Sequence, residues 1–414
     1  MGRLAKEKDV PHLPPVEKIE LNEKKSKTRL ILTIAFAVIG VLAITYGVYS
    51  FLTVDPGWRE IEADSASDYN CADDFVFQYN IGSSGISATA EYRALRSLYS
   101  ALTKDAYRIY SESDDWADVH NLKYLSAHPN EEIEVDATLY SQLKYMMGVG
   151  IRNVFLAPIY EQYYNLLFCN YDSEAALFDP DTNSDMARFF ESVCAFINDE
   201  YTIGFEFFEG NVLKLVISDE YLSFAKENNI ERFLDFGWMK NACIIDYLAD
   251  NLTKNGYTLG VISSYDGMTR ILGGEGEYTV SFFDRVENDV FRAASLSYGG
   301  NSSSVYLRDF PLSNEEKYIS YVTEQGKIIS RYINIADGRS HTEMPSLLLK
   351  SADYNCTKLA CIMTETFISS DDAYGMLDDL KIDGIYCVYC KDKKVFCSDK
   401  DMTVAIENEE YGIA

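Results

Sequence analysis

The first regularity along the chain is an uncharged apolar run, Leu30–Leu52, that follows directly on Lys24, Lys25, Lys27 and Arg29. A helix at the surface of a soluble core shows a polar face, and this run shows none. Its length suits a bilayer span, and Tyr46, Tyr49 and Phe51 sit near its far end, as interfacial aromatics do. The basic flank predicts a cytoplasmic N-terminus and an extracytoplasmic remainder. The run exceeds a signal-peptide core and no clear small-x-small cleavage site follows closely, so an uncleaved single-pass anchor is expected.

The expected organisation is a disordered cytoplasmic head over 1–29, a transmembrane helix over 30–52, a juxtamembrane segment over 53–85 and one large domain over 86–414. Beyond the anchor, helical spacing dominates first. Ala94, Leu95, Leu98, Leu102 and Ile109 form a stripe on a helix over 86–110, and Asp136 is placed to cap a helix over 135–160 that Gly148 and Gly150 interrupt. Residues 179–185 read as a turn capping a helix over 186–197; as a calcium loop they lack the Gly at position six and the Glu at position twelve. From Tyr201 the texture changes to short alternating runs: a hairpin over 203–218, a helix over 220–228, and strands near 259–264, 278–284, 290–297, 304–307 and 328–333. Helices are expected over 351–368 and 371–380, then a terminal hairpin over 384–398. Helices first and strands later, without a repeat, indicate an α+β fold.

Charge narrows the choice of partners. The net charge is −28, and residues 1–29 hold eight Lys/Arg against five Asp/Glu, so everything after them carries −31. Such a surface repels phosphate backbones, and nucleic acid is not expected as a partner. The 31 Tyr and 22 Phe supply a large core.

The segment 234–246 (LDFGWMKNACIID) carries the first candidate chemistry. An apolar run leads Asp235 into a turn at Gly237, followed by Lys240 and a helix; strand, Gly turn and helix N-terminus is an arrangement that can meet an anion. Asp353 and Thr357 are four apart on an expected helix, where both oxygens would face the same way and offer hard ligands to Mg²⁺. Cys387-x-x-Cys390 falls within a strand, where residues three apart point to opposite faces, so buried thiols or a structural disulfide are expected rather than a redox pair. His341 lies in a loop.

In this order the motifs resemble the ApbE family of flavin transferases (FAD:protein FMN transferases), over about three quarters of the chain. The family's Asp-Leu-Gly-Gly-Ile-Ala-Lys-Gly-x-x-x-Asp matches 235–246 without a gap, keeping Asp235, Gly237 and Asp246, with Lys240 one place early. Its Ala-Asp-x-x-x-Thr is intact at 352–357. Its Gly-Gly-Asp keeps only Asp266, and its Thr-Ser-Gly keeps only Gly299. The family's signature His is Tyr332 here, and the rest of that signature is also changed.

The resemblance implies an ApbE-like (T-fold-like) mixed domain after the single transmembrane helix. It implies cofactor contacts at Asp235, Gly237, Asp246, Asp266 and Gly299, metal ligation by Asp353 and Thr357, and FAD and Mg²⁺ as the cofactors. With a Tyr in place of the base, no residue is assigned a catalytic role, because a phenol titrates near pH 10. The expected protein is thus a membrane-anchored ApbE-like module of the cell envelope with a flavin- and Mg²⁺-type site, binding flavin or a protein partner. An active transferase with a relocated base at Asp266, Asp337 or His341 is the second reading. An interaction protein using only the fold is the third.

Overall fold

A computed structural model describes residues 27–64, 69–274, 276–369 and 372–414; all but the last three residues of the expected head lie outside them. The chain forms two compact units, Met1–Val54 and Asp55–Ala414. In the first, a helix spans Lys27–Leu52. Its stretch Leu30–Val48 is the one helix among the described residues long and apolar enough to cross a membrane, and none of it is buried.

The second unit is built on a nine-stranded sheet. In spatial order its strands are Gly57–Glu60, Phe75–Ile81, Gly260–Ser264, Met268–Ile271, Ser302–Arg308, Ser346–Ser351, Ile385–Lys391, Lys394–Cys397 and Gly412–Ile413. Neighbours are antiparallel except the last pair. Two of these strands correct the expected boundary at 86: Gly57–Glu60 and Phe75–Ile81 come from the stretch read as juxtamembrane. Phe75, Phe77, Tyr79 and Ile81 alternate into the core, so the strand's apolar face is buried only if it joins the domain.

Both faces of the sheet are covered. On one, the helices Ala88–Ile109, Lys240–Lys254 and Cys356–Met363 pack in the larger core, which takes Leu347, Leu349, Cys387 and Tyr389. The other core takes Leu348, Val388 and Cys390 together with Phe282 and Leu296, which belong to a three-stranded sheet of Thr403–Ile406, Asp289–Gly299 and Glu277–Val286. Cys387 and Cys390 therefore point into different cores, as period-two alternation requires, and all nine cysteines are free thiols. A second three-stranded sheet, Glu132–Glu134, Val212–Ile217 and Ile203–Phe207, lies outside the main one.

Several element boundaries move. The helix expected over 135–160 is two helices, Ala137–Gly148 and Ala157–Leu167, joined by a 3-10 turn at Asn153–Leu156. Gly150, at φ +81°, makes the break. The helix expected from 351 starts only at Cys356, capped by Asn355, and continues as a π-helical segment over Thr364–Ser369. Residues 346–351 are instead a central strand, buried on both faces and so without an alternating pattern to read.

Candidate functional site

Segment 234–236 forms no strand. The Asp235 N–H donates to the Val154 carbonyl (2.8 Å), and Leu234 and Phe236 are buried by helix packing rather than by sheet pairing. The Asp235 Oδ1 accepts the Gly237 N–H at 2.7 Å. A 3-10 turn over Gly237–Met239 then leads into the helix Lys240–Lys254. Gly237 is required twice over. Its φ is +55°, and a Cβ would stand 2.6 Å from the Tyr160 ring. Two of the turn's N–H groups are engaged within it, that of Gly237 by Asp235 and that of Met239 by the Phe236 carbonyl (3.1 Å).

The turn forms the floor of a cleft. Two adjoining cavities of ≈ 720 and ≈ 450 Å³ share Tyr164, Gly237, Lys240, Tyr318 and Arg331. Every cation on their walls is already paired. Lys240 Nζ meets Glu112 Oε2 at 2.7 Å, Arg331 meets Asp266 Oδ2 at 2.8 Å, and Arg232 meets Glu161 at 2.9 Å. The Arg331 guanidinium also lies 5.8 Å from the ring centres of Tyr318 and Tyr332. Burial, then the Glu112 carboxylate, pushes the Asp235 carboxyl up to about 6; Lys240 pulls the other way. Burial lowers the Lys240 affinity for its proton, but Glu112 and Asp235 more than offset it, and the net shift is upward.

Of the residues implied by the resemblance, Asp235, Gly237 and Asp266 meet in this cleft. The others do not join them. Asp246 is buried, and its oxygens accept the N–H groups of Cys356 (3.1 Å) and Thr357 (2.7 Å) while Arg270 approaches at 3.3 Å. It caps one helix from the side of another, and burial raises its pKa against the pull of Arg270 and of those N–H groups. Gly299 ends its strand against the Gly276 carbonyl, which a Cβ would approach to 2.8 Å, and lines neither cavity.

The pair expected to hold a metal straddles the start of a helix. Thr357 is buried, its Oγ1 3.3 Å from the Ala242 carbonyl. Asp353 lies before the helix on an exposed turn, so the four-residue spacing does not put both oxygens on one helix face. No cluster of three His, Cys, Asp or Glu among the described residues suits a metal ion. A pyrophosphate needs available cations or amides, and the three cations of the cleft are each engaged by a carboxylate.

The candidate relocated bases fare differently from one another. Asp266 is in the cleft but bound to Arg331 and to Ser264 Oγ (2.5 Å). His341 pairs with Glu343 (2.9 Å) and lines neither cavity. Asp337 is likewise outside the cleft and accepts the Arg339 N–H at 3.0 Å. Tyr332 is buried, which raises its pKa further. The sequence reading missed Glu112, Tyr160, Tyr164, Tyr318, Arg331 and Asp74. Lys240, one place off the family's register, proves central.

No family model matches the sequence, and no curated protein matches it. Solved structures do. The ApbE protein from Thermotoga maritima superposes with a TM-score of 0.54 at 11% identity, over 84% of this chain and 97% of its own. The flavin transferase ApbE from Vibrio cholerae gives 0.52 at 12% identity, over 85% and 97%. The chain has the ApbE flavin-transferase fold.

Proposed function

We propose that this protein is a membrane-anchored, extracytoplasmic ApbE-fold module that binds a ligand in the Gly237 cleft without transferring a flavin phosphate. The observation that carries this reading is the pairing of Lys240, Arg331 and Arg232 with carboxylates of the same cleft. Phosphoryl transfer from a dinucleotide depends on cations or a metal aimed at the phosphates and on a base for the incoming hydroxyl. Here the cations are engaged, Asp353 is exposed while Thr357 is buried, and Tyr332 replaces the His. The anchor reading rests on the helix Leu30–Val48 and on the basic residues before it.

The direct test incubates the full chain in lipid nanodiscs with FAD, Mg²⁺ and a Thr-containing acceptor domain. The expected result is no covalently flavinylated acceptor on a fluorescence-scanned gel. A fluorescent acceptor band overturns the proposal and restores the relocated-base transferase. Topology is checked with a reporter fused after Ala414 that is active only outside the cytoplasm; an inactive but intact fusion contradicts the extracytoplasmic placement.

A further inference from the structure

A further cavity, of ≈ 270 Å³, lies between the main sheet and the three-stranded sheet of Thr403–Ile406, Asp289–Gly299 and Glu277–Val286. Its wall includes Tyr278 and Tyr298 from the smaller sheet, Tyr306 from the main one, and Tyr332; Tyr265 and Leu312 stand at its mouth, 62% and 41% exposed. It adjoins the Gly237 cleft, with which it shares Tyr265, Asp266 and Glu316, but Tyr332 lines this cavity and not the cleft. The charged groups of the wall cancel in pairs. Arg308 holds both oxygens of Glu316 (2.7 and 3.0 Å), and Asp266 is held by Arg331 (2.8 Å). An anionic ligand finds no free cation on this wall, and a cationic one finds no free carboxylate.

The hydroxyls of the wall do not cancel. Tyr332 is only 1% exposed and its hydroxyl bonds to no described residue, yet its oxygen is not sealed, so the exposure that the residue keeps is at that oxygen. The ring is wedged edge to face against Trp238 and Phe367. The hydroxyl end lies within electrostatic reach of Arg308 and Asp266, both on the cavity wall, so the oxygen opens into the cavity. Tyr306 Oη accepts the Phe283 N–H at 2.9 Å, and Tyr278 Oη accepts the Thr269 hydroxyl at 3.4 Å; neither phenol gives its own hydrogen to a described residue. Three phenol O–H groups on one wall are thus left to donate, and such a wall calls for an uncharged acceptor.

We propose that this cavity binds a single uncharged sugar ring, whose ring and hydroxyl oxygens accept the O–H groups of Tyr332, Tyr306 and Tyr278 while one C–H face packs on the phenol rings. A sugar phosphate lacks a cation here, and a hydrocarbon leaves the three hydroxyls unpaired. A neutral sugar has oxygens along its edge and an apolar face, which match the polar tip and apolar ring that each tyrosine presents. The inference goes beyond the non-transferring reading and does not depend on it, because sugar binding and flavinylation are read in separate assays.

The experiment is saturation-transfer NMR on the full chain in nanodiscs with glucose, galactose and N-acetylglucosamine, each titrated to a Kd. Empty nanodiscs are the blank, and glucose 6-phosphate and riboflavin are the controls. Binding of at least one of the three neutral sugars, and none of glucose 6-phosphate, is expected. Tyr332→Phe keeps the ring and removes one O–H; it should weaken that binding by about three- to tenfold, and Tyr306→Phe should do likewise, as loss of one hydrogen bond predicts. Tyr332→Phe also removes an unpartnered hydroxyl, so its Tm should hold or rise, which separates lost binding from lost folding. Silence from all three sugars describes a cavity that holds only water and overturns the inference. Equal binding of glucose 6-phosphate, or an affinity unchanged in both folded variants, overturns it too. Displacement of the sugar by riboflavin assigns the cavity to a flavin ring and likewise ends the sugar assignment, while the flavinylation assay still decides the transfer question.

Discussion

The Asp246 carboxylate accepts the backbone N–H of Thr357 at 2.7 Å. That bond ties the helix Lys240–Lys254 to the first turn of the helix Cys356–Met363. It explains why an Asp and a Thr that resemble functional motif residues lie side by side without forming an open site: one caps the other's helix, with Arg270 as counterion.

Replacing Asp246 tests that role. Asp246→Ala leaves Arg270 largely buried without its closest partner and two helix N–H groups unsatisfied, so it should cost about 3–5 kcal/mol in urea unfolding. Asp246→Asn keeps one acceptor and should cost less. Equal, small losses for both would show that the cap is dispensable.

Asp235 sets a pH dependence. Its folded pKa, about 6, lies above the 3.8 of an ordinary Asp. Between those values the folded state holds the proton that the unfolded state has lost, so the carboxylate's contribution to stability falls as pH rises from about 4 to 6 and is constant above. Asp235→Asn keeps the acceptor for the Gly237 N–H and removes the buried charge. It should flatten that window and raise stability at pH 7 by about 1–2 kcal/mol, a discounted figure for a partly exposed group. Thermal unfolding at pH 4, 5, 6 and 7 measures both.

Gly237→Ala meets both a positive φ and the Tyr160 ring. A loss of about 2 kcal/mol or more is expected. In a Tyr160→Ala background the steric part disappears and only the backbone strain remains, so the two substitutions should be non-additive.

Asp353 is exposed and joins no metal cluster. Asp353→Ala should change stability by no more than about 0.5 kcal/mol, and Mg²⁺ should not shift the melting temperature of either form. A Mg²⁺-dependent shift in the parent that Asp353→Ala abolishes would restore the metal reading.

Cys387 and Cys390 are buried in separate cores, and burial raises both thiol pKa values. Maleimide labelling at pH 7 should be slow for both in the folded protein and rapid in urea. Fast labelling of either one in the native state would contradict the packing.

Local pattern went a long way in this chain. An unbroken apolar run located the helix Lys27–Leu52, whose stretch Leu30–Val48 is long and apolar enough to cross a membrane. Alternation located the hairpin of Ile203–Phe207 and Val212–Ile217 and the face assignment of Cys387 and Cys390. Asp136 and its cap were readable because a cap is satisfied within three residues. The ordered motifs also pointed to the ApbE fold.

What local pattern could not decide was every feature that depends on a distant partner. The strand Ser346–Ser351 has no alternation because both its faces are covered. Phe75–Ile81 lies close after the apolar helix in sequence yet joins the domain's sheet by pairing with Gly260–Ser264. Lys240 is off register by sequence, but a carboxylate 128 positions away makes it central. Asp353 and Thr357 keep a motif's spacing, yet the helix begins between them. Sequence determined which residue types and periodicities were available; only tertiary packing decided which charges were neutralised and which side chains line the cleft, because those depend on distances between segments far apart in the chain.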